Sequence, residues 1–360
     1  MKCLSNISRI NYPSDLVSSL TRLYTFKGKD FYYEDVLKNY MNGIIKETIE
    51  KDTIFAAKLL DLNVSENRVR LIVRKDAQPK TKDEKVLANL KTVFKIIQKM
   101  GTNLELTQNE FLHLATRIFG GVIDIGYATE VKVVRVNLLD ERMKVSKREV
   151  MENEINLYIE AIQNKKIEPT QAITNMYVDL LHLNCYTTQN EFLTLVILYC
   201  LLFSQRFNVF KYISFFEKYY NKMEGFKAAT VAAGFNWEDG YSQTALLNNL
   251  IIQLMLEGYQ EVEGMVDSYL FEKKLKKIDN VEGIIMKMPS VFTRENIKNA
   301  CPHLSDSTIN RALVSLKNQG KIRPNGTGRS ATWVKLVHEE MFGTNARQTN
   351  IFDYISPMDE

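Results

Sequence analysis

The longest apolar stretch of the chain runs from Phe192 to Phe203 and is interrupted only by Thr194. It is about a dozen residues long, whereas a helix needs about 18 apolar residues to cross a bilayer. The stretch therefore predicts a helix that is buried within a folded protein. Because such a helix is apolar on all sides, it has to be surrounded by other elements. We expect no membrane partner.

The rest of the chain is long enough to form those elements. Its 360 residues, of which 45% are hydrophobic and 25% charged, are typical of a globular protein with two or more domains. Apolar periodicity and capping signals predict helices over Asp30–Glu50, Asp83–Met100, Ser146–Asn164 and Pro169–His182, with another beginning at Thr107-x-x-Glu110. Glycine and β-branched residues in 118–140 predict a short hairpin or an irregular loop.

The four cysteines and four histidines are spread along the chain. The cysteines are too far apart for a metal-binding pair or a disulfide framework. We therefore predict no metal site and a reducing, cytoplasmic environment. The N-terminus lacks the hydrophobic segment of a signal peptide, which agrees with that location.

The net charge of +4 is unevenly distributed. Residues 290–337 hold eight of the 47 Lys and Arg residues and only two acids, Glu295 and Asp306, whereas the rest of the chain has 39 basic and 41 acidic residues. Basic charge concentrated in one small module is typical of a nucleic-acid-binding protein.

The sequence of this basic module predicts two helices followed by a hairpin. Thr293 can cap a first short helix, and Ser305 or Ser307 can cap a second that ends at Gly320. Two strand-like runs then flank the glycine-containing turn 325–328. This order is that of a winged helix-turn-helix, which binds double-stranded DNA with its second helix in the major groove.

The polar face of the second helix and the hairpin contain the candidate DNA-binding residues. Asn310 and Arg311 are the candidates for reading bases, because their side chains can form paired hydrogen bonds with a base. The candidates for phosphate contacts are Ser307, Thr308, Lys317, Lys321, Arg323 and Arg329. Winged helices also dock on proteins, and that alternative remains open.

Several stretches of the chain resemble the Fic (Fido-fold) family. Two of the family's helices are similar to DEKVLANLKTVFKIIQK (83–99, with Glu84 and Asn89) and to LTQNEFLHLATRIFGG (106–121). The family's flap is similar to GYATEVKVVRVNLL (126–139). The segment after its active site is similar to FKYISFFEKYYNKM (210–223). Many members have a C-terminal winged helix. The resemblance implies a mainly α fold, in which a Fido-like helical domain with a short β-hairpin flap precedes the winged helix-turn-helix.

This resemblance also implies a domain organisation. Residues 1–105 are expected to form an N-terminal helical region, 106–280 the Fic-like core, 281–340 the winged helix and 341–360 a flexible tail.

Active members of that family have the motif HPFx(D/E)GNGR, and residues 184–192 (NCYTTQNEF) take its place here. By this comparison Tyr186 and Asn190 remain similar to the family's aromatic residue and asparagine. The substituted positions are Asn184 for the histidine base, Thr188 for the metal-binding acid, Gln189 and Glu191 for two glycines, and Phe192 for the arginine. The catalytic site is therefore predicted to be degenerate.

The same residues predict how the phosphate site is lost. Thr188 and Glu191 have the spacing of a capping box, which would occupy the N–H groups that normally hold phosphate. We therefore expect no cofactor and a catalytically silent protein that binds DNA and regulates transcription, in a bacterial or phage-like setting. One alternative is a protein AMPylase or other nucleotidyltransferase that uses ATP with Mg²⁺ at an altered site. The other is a protein-interaction scaffold.

Two further partners are suggested by the sequence. The helical body is a candidate homodimerisation domain. In the tail, Gln348, Ile351 and Phe352 have the spacing of peptides that bind the bacterial sliding clamp, although docking of the tail on its own protein or on a dimer mate would use the same residues.

Overall fold

The computed structural model describes Cys3 and residues 13–136, 139–164, 167–300, 305–326 and 331–336. The chain divides into two compact units, Met1–Val266 and Asp267–Glu360, and the division falls within one long helix. Among the helices in the described ranges, none is both long and apolar enough to cross a membrane.

The first unit is mostly helical. Before its hairpin it contains α1 (Ser14–Lys27), α2 (Asp30–Leu37), α3 (Met41–Leu59), α4 (Glu66–Lys75), α5 (Lys82–Met100) and α6 (Gln108–Phe119). The antiparallel hairpin is formed by β1 (Thr129–Val136) and β2 (Leu139–Ser146). After it come α7 (Lys147–Gln163), α8 (Pro169–Leu183), α9 (Asn190–Ser204), α10 (Val209–Tyr212), α11 (Phe215–Asn221), α12 (Met223–Gly234) and the long α13 (Ala245–Lys287).

Helix α9 forms the centre of this unit, as predicted from its apolar stretch. All side chains from Phe192 to Phe203 are buried. The ring of Tyr199 packs edge-on to Phe94 of α5, with centroids 6.1 Å apart, and stacks on Phe215 of α11 at 5.2 Å. The aromatic segment after α9 is therefore part of the core.

Two element predictions were wrong in their extent. The single helix expected over Asp30–Glu50 is divided between α2 and α3, because the chain turns where the Tyr40 N–H donates to the Leu37 carbonyl. Asn39 is a poor helix former, which makes a break there inexpensive. The hairpin continues to Ser146, because pairing with β1 overrides the polar, helix-compatible composition of 139–146.

A buried carboxylate joins three helices of the first unit. Asp52 of α3 accepts hydrogen bonds from the Ser214 hydroxyl at 2.6 Å, from the Tyr199 hydroxyl of α9 at 3.0 Å and from the Phe216 N–H of α11 at 3.1 Å. The side chain is fully buried, and this desolvation raises the pKa of Asp52 to about 7 despite the three donors. Asp52 is thus more easily protonated in the folded state than in the unfolded chain.

This pKa shift predicts a pH-dependent stability. The unfolded carboxyl titrates near 3.8 and the folded one near 7, so the stability that proton binding contributes is complete below about pH 4 and is lost as pH rises through 7. The free energy of unfolding of wild type minus that of Asp52→Asn should therefore fall between pH 4 and 7 and be flat above. Denaturant titrations of both proteins at a series of pH values measure this difference in the free energy of unfolding.

Glu66→Gln is the control for this titration, because the Glu66 side chain is 92% exposed. The free energy of unfolding of wild type minus that of Glu66→Gln should show no comparable decline between pH 4 and 7. If the corresponding difference for Asp52→Asn rose over this interval, the raised pKa of Asp52 would be contradicted.

The second unit contains the predicted two helices and hairpin. Its elements are β3 (Val291–Thr293), α14 (Arg294–Ala300), α15 (Asp306–Asn318), β4 (Ile322–Asn325) and β5 (Thr332–Lys335), together with the last part of α13. The strands form an antiparallel sheet in the order β3-β5-β4. The buried side chains of its core include Ile285, Phe292, Ile297, Ile309, Leu313, Leu316 and Ile322.

The helix caps of this unit agree with the sequence analysis. Thr293 accepts from the Asn296 N–H at 3.2 Å, and the Asn296 side chain accepts in return from the Thr293 N–H at 2.8 Å. Of the two candidate caps for α15, the structure uses Ser305, whose hydroxyl accepts from the Thr308 N–H at 3.3 Å. The turn residues 327–330, including Arg329, lie outside the described residues.

Candidate functional site

The loop between α8 and α9 contains the first group of predicted site residues. It begins and ends with a residue in the left-handed region, Asn184 at φ 46° and Gln189 at φ 59°. Asparagine tolerates this conformation, whereas an ordinary side chain such as glutamine costs on the order of 1 kcal/mol there. These two residues turn the chain sharply at each end of the loop.

Asn190 holds the loop against the start of α9. Its Nδ2 donates to the Tyr186 carbonyl at 2.8 Å, and its Oδ1 accepts from the Tyr186 N–H at 2.8 Å. One side chain thus satisfies both backbone groups of a buried residue, as a paired strand would. We call this pair of hydrogen bonds the Asn190 clamp.

On its other side the loop is paired with the chain that leads into β1. The Ala128 N–H donates to the Cys185 carbonyl and the Thr187 N–H donates to the Gly126 carbonyl, both at 2.9 Å. The rings of Tyr127 and Tyr186 stack with centroids 5.7 Å apart. The loop is therefore fixed between α9 and the base of the hairpin.

The capping box predicted from Thr188 and Glu191 is wrong. Helix α9 begins at Asn190 with Gln189 as N-cap, and no side-chain hydrogen bond is made by this cap. A box needs its threonine at the N-cap position and its glutamate three residues later, so Thr188 and Glu191 are one residue out of register. The left-handed Gln189 and the Asn190 clamp delay the helix start by that residue.

A pair of threonine substitutions tests this helix start. Thr107 and Thr188 are both half-buried, but only Thr107 caps a helix, accepting from the Glu110 N–H at 3.2 Å. Thr107→Ala should lower the free energy of unfolding by about 1 kcal/mol, whereas Thr188→Ala should change it by less than about 0.5 kcal/mol. Urea denaturation measures both values, and equal losses would indicate that Thr188 caps α9.

The chemistry that this loop can perform is limited. Asn184 is exposed but has no basic atom, and burial raises the pKa of the Cys185 thiol to about 12, so neither can accept a proton or act as a nucleophile at neutral pH. Thr188 presents a neutral hydroxyl, a weaker ligand for Mg²⁺ than the carboxylate that the resembling motif has at this position. The exposed carboxylate of Glu191 in the first turn of α9 opposes an incoming phosphate. This donor set does not fit a magnesium nucleotide.

Elsewhere in the described residues there is also no cluster of three or more His, Cys, Asp or Glu side chains that could hold a metal ion. The ring of His182, the histidine nearest the loop in sequence, stacks on Trp237 with centroids 4.9 Å apart. It therefore packs at the end of α8.

The second group of predicted residues lies on α15 and the hairpin of the second unit. Ser307, Asn310, Arg311 and Lys317 are exposed on α15, and Arg323 is exposed on β4. Thr308 is half-buried, and its hydroxyl lies 2.9 Å from that of Ser305. We call the exposed surface formed by Ser307, Asn310, Arg311, Val314 and Lys317 the α15 face.

Several basic residues of the second unit are paired with acids. Lys321 forms an ion pair with Glu282 of α13 and is half-buried, so it is less suited to a phosphate contact than the sequence suggested. Asp306 pairs with Lys298 at 2.9 Å and with Arg294 at 3.6 Å, and its hydrogen bond with Lys298 holds the pKa of the Asp306 carboxyl below its usual value. These pairs tie α14 to α15, and the one carboxylate offsets part of the charge of the two cations.

Other basic residues of the second unit form no ion pair with an acidic residue in the described part of the chain. Among the described residues, Arg311, Lys317 and Arg323 have no acidic partner within ion-pair distance. The tail residues Gln348, Ile351 and Phe352 lie outside the described residues, so the sliding-clamp interaction stays a prediction.

Three solved structures were found to be similar to this chain. A Fic family protein from Desulfovibrio desulfuricans G20 is 8% identical, with a TM-score of 0.54, and the match covers 91% of this chain and 98% of that one. A Fic domain containing signaling protein from Bacteroides thetaiotaomicron VPI-5482 is 12% identical, with a TM-score of 0.49 over 71% and 97% of the two chains. Fic-1 from C. elegans is 12% identical, with a TM-score of 0.47 over 70% and 74%.

The first of these similarities shows that the chain has a Fido-like helical fold, as the resemblance in its sequence implied. No protein-family model and no curated protein matches the sequence. At this level of identity the similarity concerns the fold alone, so the activity has to be argued from the site residues.

Proposed function

We propose that this protein is a cytoplasmic DNA-binding regulator in which a Fido-like body without transfer activity is joined to a winged helix. The observation that carries the proposal is the α15 face. It presents Asn310, Arg311 and Lys317 to solvent without acidic partners among the described residues, in a module that is net positive while the rest of the chain is slightly acidic.

The element order of the second unit supports a winged-helix function. A helix, α14, is followed by the capped helix α15 and then by the hairpin of β4 and β5, and the buried side of α15 packs in the core through Ile309, Leu313 and Leu316. This leaves the opposite side of α15 open to a major groove, which is wide enough to admit a helix. Arg323 is exposed on β4 and is the proposed contact for the phosphate backbone.

The proposed division of roles on this surface follows from side-chain chemistry. Asn310 and Arg311 can form paired hydrogen bonds with adenine and guanine respectively, whereas Lys317 and Arg323 act as point charges for phosphate. Ser307 and Thr308, beside the N-cap, are suited to phosphate hydrogen bonds at the helix start. Lys321 is assigned a structural role with Glu282 in place of the DNA contact expected from the sequence.

The loop before α9 supports the proposal that the Fido-like body is catalytically silent. Gln189 takes a left-handed conformation at the place where the resembling motif has glycine, and the Asn190 clamp orders the loop. The base and the acid of the resembling motif are replaced by Asn184 and Thr188. We therefore interpret the body as a scaffold that retains the fold without the chemistry, suited to dimerisation or to sensing a ligand.

One observation favours the alternative of nucleotidyl transfer. Because Thr188 does not cap α9, the first N–H groups of this helix are not occupied by a side-chain cap and could face an anion. A base and a metal-binding carboxylate are nevertheless needed for transfer, and the loop has neither.

Incubation with labelled ATP and Mg²⁺ in a proteome extract should give no incorporation of label into protein. Incorporation by wild type that disappears in Asn190→Ala would establish the alternative.

Two lysines that are close in sequence test DNA binding. Lys317→Gln removes an unpaired cation of the α15 face, and Lys321→Gln removes one that pairs with Glu282, with the same change in net charge. Fluorescence anisotropy with a labelled duplex over a range of salt concentrations should give a linear plot of log K against log [salt]. Lys317→Gln should reduce its slope by about 0.9, the value of one phosphate contact, and Lys321→Gln by much less.

Melting temperatures of both variants show whether a loss of binding reflects unfolding. Equal effects of the two substitutions would mean that only the overall charge of the unit matters. A wild-type protein without salt-sensitive DNA binding would contradict the proposed function and favour a protein-interaction scaffold, which pull-downs with and without nuclease treatment would identify.

A further inference from the structure

The α15 face contains one apolar side chain among polar ones. Every residue of α15 is described, and its other apolar side chains, including Ile309, Leu313 and Leu316, are buried on the opposite side. Val314 is 54% exposed and does not belong to the core of the second unit. A β-branched residue at an exposed position in the middle of a helix is also less favourable than alanine by roughly 0.5 kcal/mol. Neither packing nor helix propensity accounts for this valine.

The position of Val314 places it between polar groups of the same face. Asn310 and Arg311 lie one turn before it and Lys317 lies nearly one turn after it. With a rise of about 1.5 Å per residue, Asn310 and Val314 are about 6 Å apart along the helix axis, close to two base-pair steps of about 3.4 Å. If α15 enters a major groove, Val314 therefore meets a base pair within about two steps of those that Asn310 and Arg311 meet.

The chemistry of the groove restricts what Val314 can recognise there. Valine has no hydrogen-bonding group in its side chain, and nearly every group on the groove floor is a donor or an acceptor. The largest apolar group there is the methyl group at C5 of a pyrimidine, present on thymine and on 5-methylcytosine. A valine placed against an unmethylated cytosine would desolvate polar atoms without pairing them, which is unfavourable.

From this arrangement we infer that Val314 is a specificity-determining residue that reads the C5-methyl group of a pyrimidine, within about two base pairs of the bases contacted by Asn310 and Arg311. The inference rests on the proposed DNA binding and adds a sequence preference to it. A protein partner docking on Val314 is the competing possibility, and a test that changes only a DNA methyl group separates the two.

The experiment uses the full chain and a duplex selected from a random library. Each thymine in the bound sequence is replaced in turn by uracil, which removes one methyl group, and in a second series each cytosine is replaced by 5-methylcytosine. For wild type, affinity measured by anisotropy should change by about fourfold at one position, the value of one buried methyl group. A loss in the uracil series identifies thymine as the target, and a gain in the other series identifies 5-methylcytosine.

Val314→Ala completes the test, because alanine favours the helix and the variant is expected to fold. It should bind duplexes with and without the sensitive methyl group equally well and keep the salt slope of wild type. The matched control, Ser315→Ala, changes a half-buried neighbour and should retain the methyl preference.

Two results would overturn the inference while the proposed function stands. One is tight, salt-sensitive DNA binding with no methyl-sensitive position for wild type. The other is a methyl preference that Val314→Ala retains in full. Absence of DNA binding by wild type would instead overturn the proposed function and the inference together.

Discussion

The fold of the first unit depends on the burial of α9 on all sides. A helix in which every side chain from Phe192 to Phe203 is buried fixes the positions of its neighbours, because each of them has to cover part of its surface. Tyr199 is an example, since its ring packs against α5 and α11 while its hydroxyl donates to the buried Asp52 of α3. The loop before α9 is ordered from the same helix, through the Asn190 clamp.

The features that the sequence predicts well are those determined by neighbouring residues. The apolar run of α9, the caps at Thr107 and Thr293, and the two helices of the second unit each depend on spacing within a few positions. The start of α9 is different. Thr188-x-x-Glu191 is a valid capping signal, but the conformation of Gln189 at φ 59° and the contact of Asn190 with Tyr186 displace it. A non-glycine residue in the left-handed region has no signature in a single sequence.

Charge pairing between distant segments is also beyond the reach of sequence patterns. Lys321 looked like its neighbour Arg323, yet only Lys321 is paired with Glu282, which is 39 residues away. Likewise Arg294 and Lys298 contribute to the positive charge of the module, but both face Asp306. The local charge balance therefore predicted a basic module correctly but could not identify which of its cations remain available for a partner. Among the described residues of the module, Arg311, Lys317 and Arg323 are exposed and have no acidic partner.

The helix starts of α9 and α15, which the proposed function compares, differ in the negative charge that they present. At α9 the carboxylate of Glu191 is exposed in the first turn, where it favours the helix and opposes phosphate. At α15 the carboxylate in the same place, Asp306, is neutralised by Lys298 and Arg294, so it presents less negative charge to a polyanion. Charge in the described residues therefore disfavours phosphate at the loop of the Fido-like body and permits it at the start of α15. This contrast is the electrostatic reason for assigning the nucleic acid to the C-terminal module.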